Sequence, residues 1–239
     1  MISTTNKFFL FGALLLLSFS CNNHKEQSKA NPDVKSEVEN NDSIRNLDIE
    51  VTENTVRIGK QTWMLRNLEV TSFRNGDPIY QVKQNPEWQK QSELKQAVFG
   101  YFGNDIERAK KLGNTYNWYA VNDKRGLAPE GWRIPSKEDW QQLIDYLGGN
   151  AVAGHKLKNI EGWGGDGNGD NKSGFAGLPG GFRGYDGISY SVGYMARWWT
   201  STESGEYFAH GFDINYDAKS INPSTGYKQD GFSVRCIKE

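Results

Sequence analysis

The chain has 239 residues, and its 28 Lys and Arg nearly balance its 29 Asp and Glu, giving a formal net charge of −1 at pH 7. This balance argues against nucleic acid and against a strongly acidic surface as the partner. Aromatic residues make up 13% of the chain and glycine contributes 27 residues, which favours short strands, tight loops and ring packing over a helical bundle.

The first 20 residues have the pattern of a lipoprotein signal peptide. A positive start at Lys7 is followed by an apolar run over residues 8–17, about half the roughly 20 residues that a helix needs to cross a bilayer. Residues 17–20 and Cys21 resemble the lipobox of bacterial lipoproteins, in the relaxed form found in Bacteroidetes. An ordinary secretory cleavage site is the alternative. We expect Cys21 to be acylated and to anchor the protein in the outer membrane, on its periplasmic face or at the cell surface.

Residues 21–47 are predicted to be the lipidated Cys and a disordered tether. Between residues 22 and 46 there is no aromatic residue and no Gly, and Lys, Glu, Asp, Asn and Ser dominate. Such a stretch cannot bury enough apolar surface to offset the cost of ordering. The remainder, residues 48–239, is long enough for one domain with a substantial core.

The first part of this domain is predicted to contain a hairpin and several turns. Gly59-Lys60 lies between two alternating runs, and Gly at the first place of a two-residue loop suits a type II′ turn. Residues 75–78, Asn-Gly-Asp-Pro, predict a second turn. Residues 81–103 carry no clear pattern, and residues 116–121 fit either a short helix or a strand.

The clearest helix is predicted to begin after Pro135, with Ser136 as its N-cap. Apolar residues then recur at helical spacing until Gly148-Gly149 ends the helix. A second short helix is predicted over residues 151–158, with Asn150 as its cap. A glycine-rich loop region follows over residues 162–187.

The C-terminal part alternates like a set of strands, over residues 197–200, 207–214 and 231–237. Because Cys236 is the only cysteine left after lipidation, no internal disulfide is expected, and its alternation with apolar neighbours indicates a buried small side chain. His210 lies on an apolar face and is interpreted as a core histidine. Helices early and strands late predict the α+β class.

A series of short motifs runs through the domain in a fixed order. They are Ile58-Gly-Lys-Gln-Thr-Trp-Met64, Asn67-Leu68, residues 116–121 (Tyr-Asn-Trp-Tyr-Ala-Val), Leu127 to Pro135, Asp139-Trp140, residues 146–149, Ala153-Gly154, residues 156–158, Gly174-Phe175, residues 178–183 (Leu-Pro-Gly-Gly-Phe-Arg), Trp198-Trp199 and residues 231–236 (Gly-Phe-Ser-Val-Arg-Cys). Together they resemble the Fibrobacter succinogenes major paralogous domain, FISUMP, over residues 48–239. The resemblance implies a C-type-lectin-like fold of the formylglycine-generating-enzyme subtype, with a small twisted antiparallel sheet, two or three helices and long structured loops.

The resemblance also implies ligand contacts just before the closing strand. The predicted contact residues are Trp199, Ser201, Glu203, Asp213, Asn215 and Tyr216. The sequence lacks the Glu-Pro-Asn and Gln-Pro-Asp triplets of calcium-dependent sugar binding in C-type lectins, so sugar binding of that kind is not expected. Sugar binding through aromatic faces is left open, with Trp198, Trp199, Tyr207 and Tyr216 as the candidate faces. At least one of Trp198 and Trp199 is expected to face inward, because successive side chains of a strand alternate.

A candidate calcium site lies in the glycine-rich loop. Asp166, Asn168 and Asp170 place oxygen side chains at alternate positions, and hard cations such as Ca²⁺ bind several oxygen ligands. The loop departs from an EF-hand at Asn171 and Gly177, where Gly and Glu would be required. The alternative is a solvated turn, and no other cofactor is predicted.

We therefore expect a membrane-anchored binding or adhesion module, attached to the lipid bilayer through Cys21, for a polysaccharide or a surface protein. We expect no enzyme activity, because formylglycine-generating catalysis needs two cysteines and only Cys236 is available. His155 and His210 show no metal-binding spacing, and no nucleophile elbow is present. The alternatives are an envelope-processing enzyme or enzyme subunit on the same fold, and a purely structural envelope component.

Overall fold

A computed structural model of the protein describes residues 47–239. The predicted signal peptide, the lipidation site at Cys21 and the tether up to residue 46 lie outside the described residues. Within residues 47–239, no helix combines the length and the apolar character needed to cross a bilayer.

Helices and short strands are interspersed through the described residues, which confirms the α+β class. The helices are α1 (Asn85–Glu93), α2 (Ile106–Leu112), α3 (Trp118–Val121), α4 (Lys137–Tyr146) and α5 (Asn150–Leu157), with one 3₁₀ turn at Phe102–Asn104. The strands are β1 (Ile49–Val51), β2 (Thr55–Ile58), β3 (Gln61–Met64), β4 (Tyr80–Gln81), β5 (Val98–Gly100), β6 (Thr115–Asn117), β7 (Trp132–Arg133), β8 (Phe182–Arg183), β9 (Ser189–Tyr190), β10 (Met195–Glu203), β11 (Phe208–Asn215), β12 (Asn222–Tyr227), β13 (Gly231–Phe232) and β14 (Ile237–Lys238).

The strands form three sheets. Five strands pair in the order β1-β2-β3-β14-β7, six in the order β4-β5-β6-β13-β8-β9, and three in the order β10-β11-β12. The pair β4 and β5 is parallel, and the other pairs of named strands are antiparallel. The fold therefore has more sheet than the single small sheet that was expected.

The closing segment was predicted as one strand over residues 231–237, and the structure divides it into β13 and β14. Between the two, the backbone oxygens of Ser233, Val234 and Cys236 accept hydrogen bonds from three separate parts of the chain, at Trp199, Leu68 and Met64. A segment that pairs with several partners in turn cannot keep one ladder. The expected alternation survives, since Phe232, Val234 and Cys236 all belong to one core cluster.

Strand β10 lies between two hydrophobic cores. Successive side chains of a strand point to opposite faces, so Trp198 joins one cluster with Trp63, Trp140 and Phe212, whereas Trp199 joins the other. Both indoles have no solvent exposure. The expectation that at least one of this pair faces inward is confirmed, and in fact both do.

Helix α4 begins as its sequence predicts. The Ser136 hydroxyl accepts a hydrogen bond from the backbone N–H of Asp139 at 3.2 Å, and the Asp139 carboxylate accepts one from the backbone N–H of Ser136 at 2.7 Å. This capping box satisfies two N–H groups that would otherwise lack partners. The same carboxylate binds Arg133 with both oxygens, which attaches the helix to β7.

The predicted cap of α5 is wrong. The helix begins at Asn150 itself, and Gly149 is its N-cap. The Asn150 side chain instead donates a hydrogen bond to the backbone oxygen of Ile221 at 3.0 Å. This contact holds the start of α5 against the segment that leads into β12.

Candidate functional site

The predicted contact residues fall at two ends of one hairpin. Strands β10 and β11 are antiparallel, with Glu203 opposite Ala209 and Met195 opposite Asn215. Six residues of strand separate these two pairs, which corresponds to about 20 Å. Ser201 and Glu203 therefore lie near the hairpin turn, while Asn215 and Tyr216 lie at the opposite end. The structure does not bring the predicted set together as one surface.

Two of the predicted contacts, Trp199 and Asp213, are buried, and this part of the prediction is corrected. The Trp199 ring stacks on Phe232 with 3.8 Å between centroids and has no exposed area. Asp213 binds Arg197 through both carboxylate oxygens, at 2.7 and 2.5 Å, and also accepts a hydrogen bond from Ser224. Because the hairpin lies against core on both faces, its middle residues are structural.

Exposed aromatic side chains gather at the turn end of the hairpin. Phe208 and Tyr227 are cross-strand partners with ring centroids 4.7 Å apart, and Tyr185 lies 6.1 Å from Tyr227. Their exposed fractions are 37%, 47% and 53%, and the neighbouring Tyr207 is 61% exposed. We call these four residues the aromatic row. Exposed aromatic groups of this size are typical of binding surfaces.

The aromatic row is held in place by a buried lysine. The Lys228 ammonium donates to the Glu203 carboxylate and, at 2.8 Å, to the backbone oxygen of Glu206, and it lies 5.0 Å from the centre of the Trp118 ring. The backbone N–H of Lys228 donates to the backbone oxygen of Tyr207 at 2.9 Å. Glu203, a predicted ligand contact, has an exposed side chain, and its ion pair with Lys228 fixes the turn that carries Tyr207.

A buried carboxyl group lies beneath the aromatic row. Asp230 accepts a hydrogen bond from the backbone N–H of Tyr227 at 3.0 Å. Burial raises the pKa of Asp230 from 3.8 to about 6, and the backbone N–H groups of Tyr227 and Tyr185 act in the opposite direction. The folded protein therefore keeps a proton that the unfolded chain releases as the pH rises above about 4.

This difference in pKa predicts a pH-dependent loss of stability. The contribution of Asp230 to the free energy of unfolding falls by about 3 kcal/mol at most between pH 4 and pH 6. Above pH 6 this contribution is constant. We expect Asp230→Asn to gain stability relative to the wild type by about 1–3 kcal/mol between pH 4 and pH 7. Urea unfolding of the wild type and the variant at pH 4 and at pH 7 measures this gain in stability. Parallel pH profiles would contradict the assignment.

A pocket of about 410 Å³ lies at the other end of the hairpin. Its lining includes Tyr216, and the Tyr216 ring meets Tyr194 edge-on with centroids 5.2 Å apart. Beneath it the buried Lys158 ammonium donates to the backbone oxygens of Gly167 at 3.0 Å and Tyr216 at 2.7 Å. We call this the Tyr216 pocket. It is lined by His155, Lys158, Asp166, Gly167, Asn168, Tyr216, Asp217, Ala218 and Lys219.

The loop of the candidate calcium site borders the Tyr216 pocket, and two of its three candidate ligands are bound within the loop. Asn168 accepts a hydrogen bond from the backbone of Trp163, and Asp170 accepts one from the backbone of Lys172, each at 3.1 Å. The Asp170 carboxylate also lies 3.1 Å from the Lys172 ammonium. Among residues 47–239 no group of three or more His, Cys, Asp or Glu is arranged to hold a metal ion. The calcium site at Asp166, Asn168 and Asp170 stays a prediction that these contacts do not support.

The remaining cysteine and a histidine carry perturbed pKa values. Burial raises the pKa of Cys236 to about 12, so its thiol is protonated at neutral pH, and the prediction of a buried small side chain is confirmed. Burial lowers the pKa of His210, which is therefore neutral at pH 7. His155 lies on α5, with its Nε2 atom 3.9 Å from the Asp170 carboxylate.

These features define an α+β protein with an aromatic candidate binding surface at the turn of its longest hairpin. The sequence model of the Fibrobacter succinogenes major domain matches residues 56–238, which is most of the chain. The chain belongs to this family. Searches of curated proteins and of solved structures returned no match.

Proposed function

We propose that the protein is an outer-membrane lipoprotein whose domain binds a glycan through the aromatic row. The observation that carries the proposal is the line of exposed rings from Phe208 through Tyr227 to Tyr185, spaced at 4.7 and 6.1 Å. The apolar face of a sugar ring packs on aromatic faces, and tyrosine hydroxyls add hydrogen bonds at the rim. The buried support from Lys228 fixes the surface before a ligand arrives, which lowers the entropic cost of binding.

The lipid anchor at Cys21 and the C-type-lectin-like fold of the formylglycine-generating-enzyme subtype are parts of the same proposal. The signal-peptide pattern of residues 1–20 supports the anchor, and the family match together with the α+β architecture supports the fold. A binding role rather than catalysis is supported by the buried, protonated state of Cys236. An anchored module of this kind acts as an adhesin at the cell envelope.

The test is binding by the mature chain, residues 21–239, carrying Cys21→Ser so that it stays free of lipid. Neutral oligosaccharides of six units with different linkages are titrated by calorimetry. We expect one linkage class to bind, and we expect Tyr227→Ala to weaken this binding about tenfold or more because it removes the central ring of the row. The melting temperature of the variant serves as a check of its fold.

Tyr216→Ala is the matched control, because Tyr216 is also exposed and lies at the opposite end of the hairpin. We expect this variant to bind like the wild type. If Tyr216→Ala weakens binding and Tyr227→Ala does not, the site is the Tyr216 pocket and the aromatic row is excluded. If no glycan binds while a surface protein is captured through Tyr227, the ligand class of the proposal is wrong.

A further inference from the structure

Arg235 is a buried cation that has no carboxylate partner among residues 47–239. Its residue is 2% exposed, and its guanidinium lies 4.0 Å from the centre of the Phe175 ring. Burial lowers its pKa to about 9, and no charged group opposes this effect among the residues described. An unpaired buried charge is costly, and arginine does not escape this cost by losing its proton at neutral pH.

The hydrogen bonds of Arg235 leave part of its guanidinium free. Its Nε and Nη2 atoms donate to the Asn67 Oδ1 atom at 3.1 and 2.9 Å, and Nη1 donates to the backbone oxygen of Phe175. A guanidinium carries five N–H groups. Within the part of the chain that the structure describes, these three bonds leave two N–H groups of Arg235 unassigned, and both recorded acceptors are neutral.

Arg235 is one of the residues that line a cavity of about 440 Å³. The lining also includes Asn67, Leu178 and Ala176. Charged residues of α2 and of the segment that follows β3 complete the lining. The volume falls within the range of small-molecule sites. The charged lining residues are Arg66, Lys110, Lys111, Arg235 and Glu107.

The charge of this lining is strongly positive. It contains four cationic side chains and one carboxylate. That carboxylate, Glu107, is bound by the Lys110 ammonium at 2.6 Å. Arg66, Lys111 and Arg235 therefore remain to meet a ligand, although the protein as a whole carries a net charge of only −1.

The other buried cations of the domain fall into two groups. Lys228 binds the Glu203 carboxylate, as the half-buried Arg197 binds Asp213, whereas Lys158 and Arg183, like Arg235, donate only to neutral oxygens among the described residues. Arg235 combines a planar fork of donors, which suits bidentate recognition of an oxyanion, with a cavity lined by further cations.

We propose that this cavity binds an oxyanion, a carboxylate or a sulfate, carried on a saccharide-sized molecule. The floor of the site is Arg235, held in position by Asn67, and its rim cations are Arg66 and Lys111. The site is separate from the aromatic row, and the proposal does not depend on glycan binding there.

The test is calorimetric titration of the mature chain carrying Cys21→Ser with four probes: trigalacturonate, a sulfated disaccharide, inorganic sulfate and neutral maltotriose. We expect at least one acidic saccharide to bind about tenfold or more tightly than inorganic sulfate, with an affinity that falls as NaCl is raised. We expect maltotriose not to bind at this site. Equal affinities for inorganic sulfate and for the acidic saccharides would overturn the proposal that the ligand is of saccharide size.

The variants separate this site from a general effect of charge. The double variant Arg66→Gln, Lys111→Gln should weaken binding of the acidic saccharide about tenfold or more. Lys90→Gln, Lys95→Gln removes the same charge from exposed positions near α1 and should change the affinity less than about twofold. Equal losses in both double variants, or no binding of any anion by the folded protein, would overturn the proposal. Tyr227→Ala should leave the affinity for the acidic saccharide unchanged, and this measurement distinguishes the cavity from the aromatic row.

Discussion

Replacing Asn67 with alanine is expected to lower the free energy of unfolding by about 3–5 kcal/mol. The Asn67 Oδ1 atom accepts hydrogen bonds from Arg235 and from the Trp198 indole at 2.9 Å, while its Nδ2 atom donates to Leu112 and Ser233. The alanine variant leaves a buried guanidinium and several buried polar groups without partners. Urea unfolding followed by tryptophan fluorescence measures the loss.

A double-mutant cycle identifies the charge as the source of this cost. In the background Arg235→Met, the guanidinium is replaced by an apolar side chain, so Asn67→Ala should cost about 1–3 kcal/mol less than in the wild type. Equal costs in the two backgrounds would show that Asn67 acts through Leu112, Ser233 and Trp198 alone. A total loss below about 1 kcal/mol for Asn67→Ala would contradict the central role given to this residue.

Trp140→Ala is expected to cost a similar amount, about 3–5 kcal/mol, for a different reason. The Trp140 ring is fully buried and contacts four other aromatic rings, with centroid distances from 5.0 to 5.7 Å. Removing it opens a cavity at the centre of the core that includes Trp63, Trp198 and Phe212. Chemical unfolding at constant pH provides the measurement.

The comparison of two phenylalanine variants tests the polar atom of this ring. Trp140 Nε1 has no hydrogen-bond partner among the described residues, whereas Trp63 Nε1 donates to Gln61 at 3.2 Å. An unsatisfied buried N–H costs about 1–3 kcal/mol, so Trp140→Phe relieves a cost that Trp63→Phe does not. We expect Trp140→Phe to be the less destabilising of the two. The reverse order would mean that the Trp140 N–H is satisfied in solution.

Local chemistry explains which elements could be predicted from the sequence. Gly59 adopts the positive φ of +59° that the predicted hairpin needs, and Ser136 forms the predicted cap. In residues 116–121 both alternatives occur, because Asn117 ends β6 and its side chain caps α3. The turn at Asn85-Pro86 that begins α1 carried a usable signal, since Pro favours the first helical positions.

The candidate sites were harder to predict, because they depend on which strands become neighbours. Alternation in β10 indicates that Trp198 and Trp199 face opposite sides, yet it cannot show that both sides are covered by core. The aromatic row brings together Tyr185, in the loop between β8 and β9, and Tyr227, at the end of β12 in another sheet. The floor of the cationic cavity joins Asn67 to Arg235, 168 positions apart. Pairs at such separations leave no trace in local periodicity.

Residues 231–238 complete both of the larger sheets. β13 lies between β6 and β8, and β14 lies between β3 and β7, so each of these two sheets lacks an interior strand until residues 231–238 are in place. Pairing of Ile237 with Trp63 closes almost the whole domain. Without these residues both sheets are incomplete, and long-range pairing of this kind slows folding. The same arrangement makes a C-terminal truncation more damaging than its length suggests.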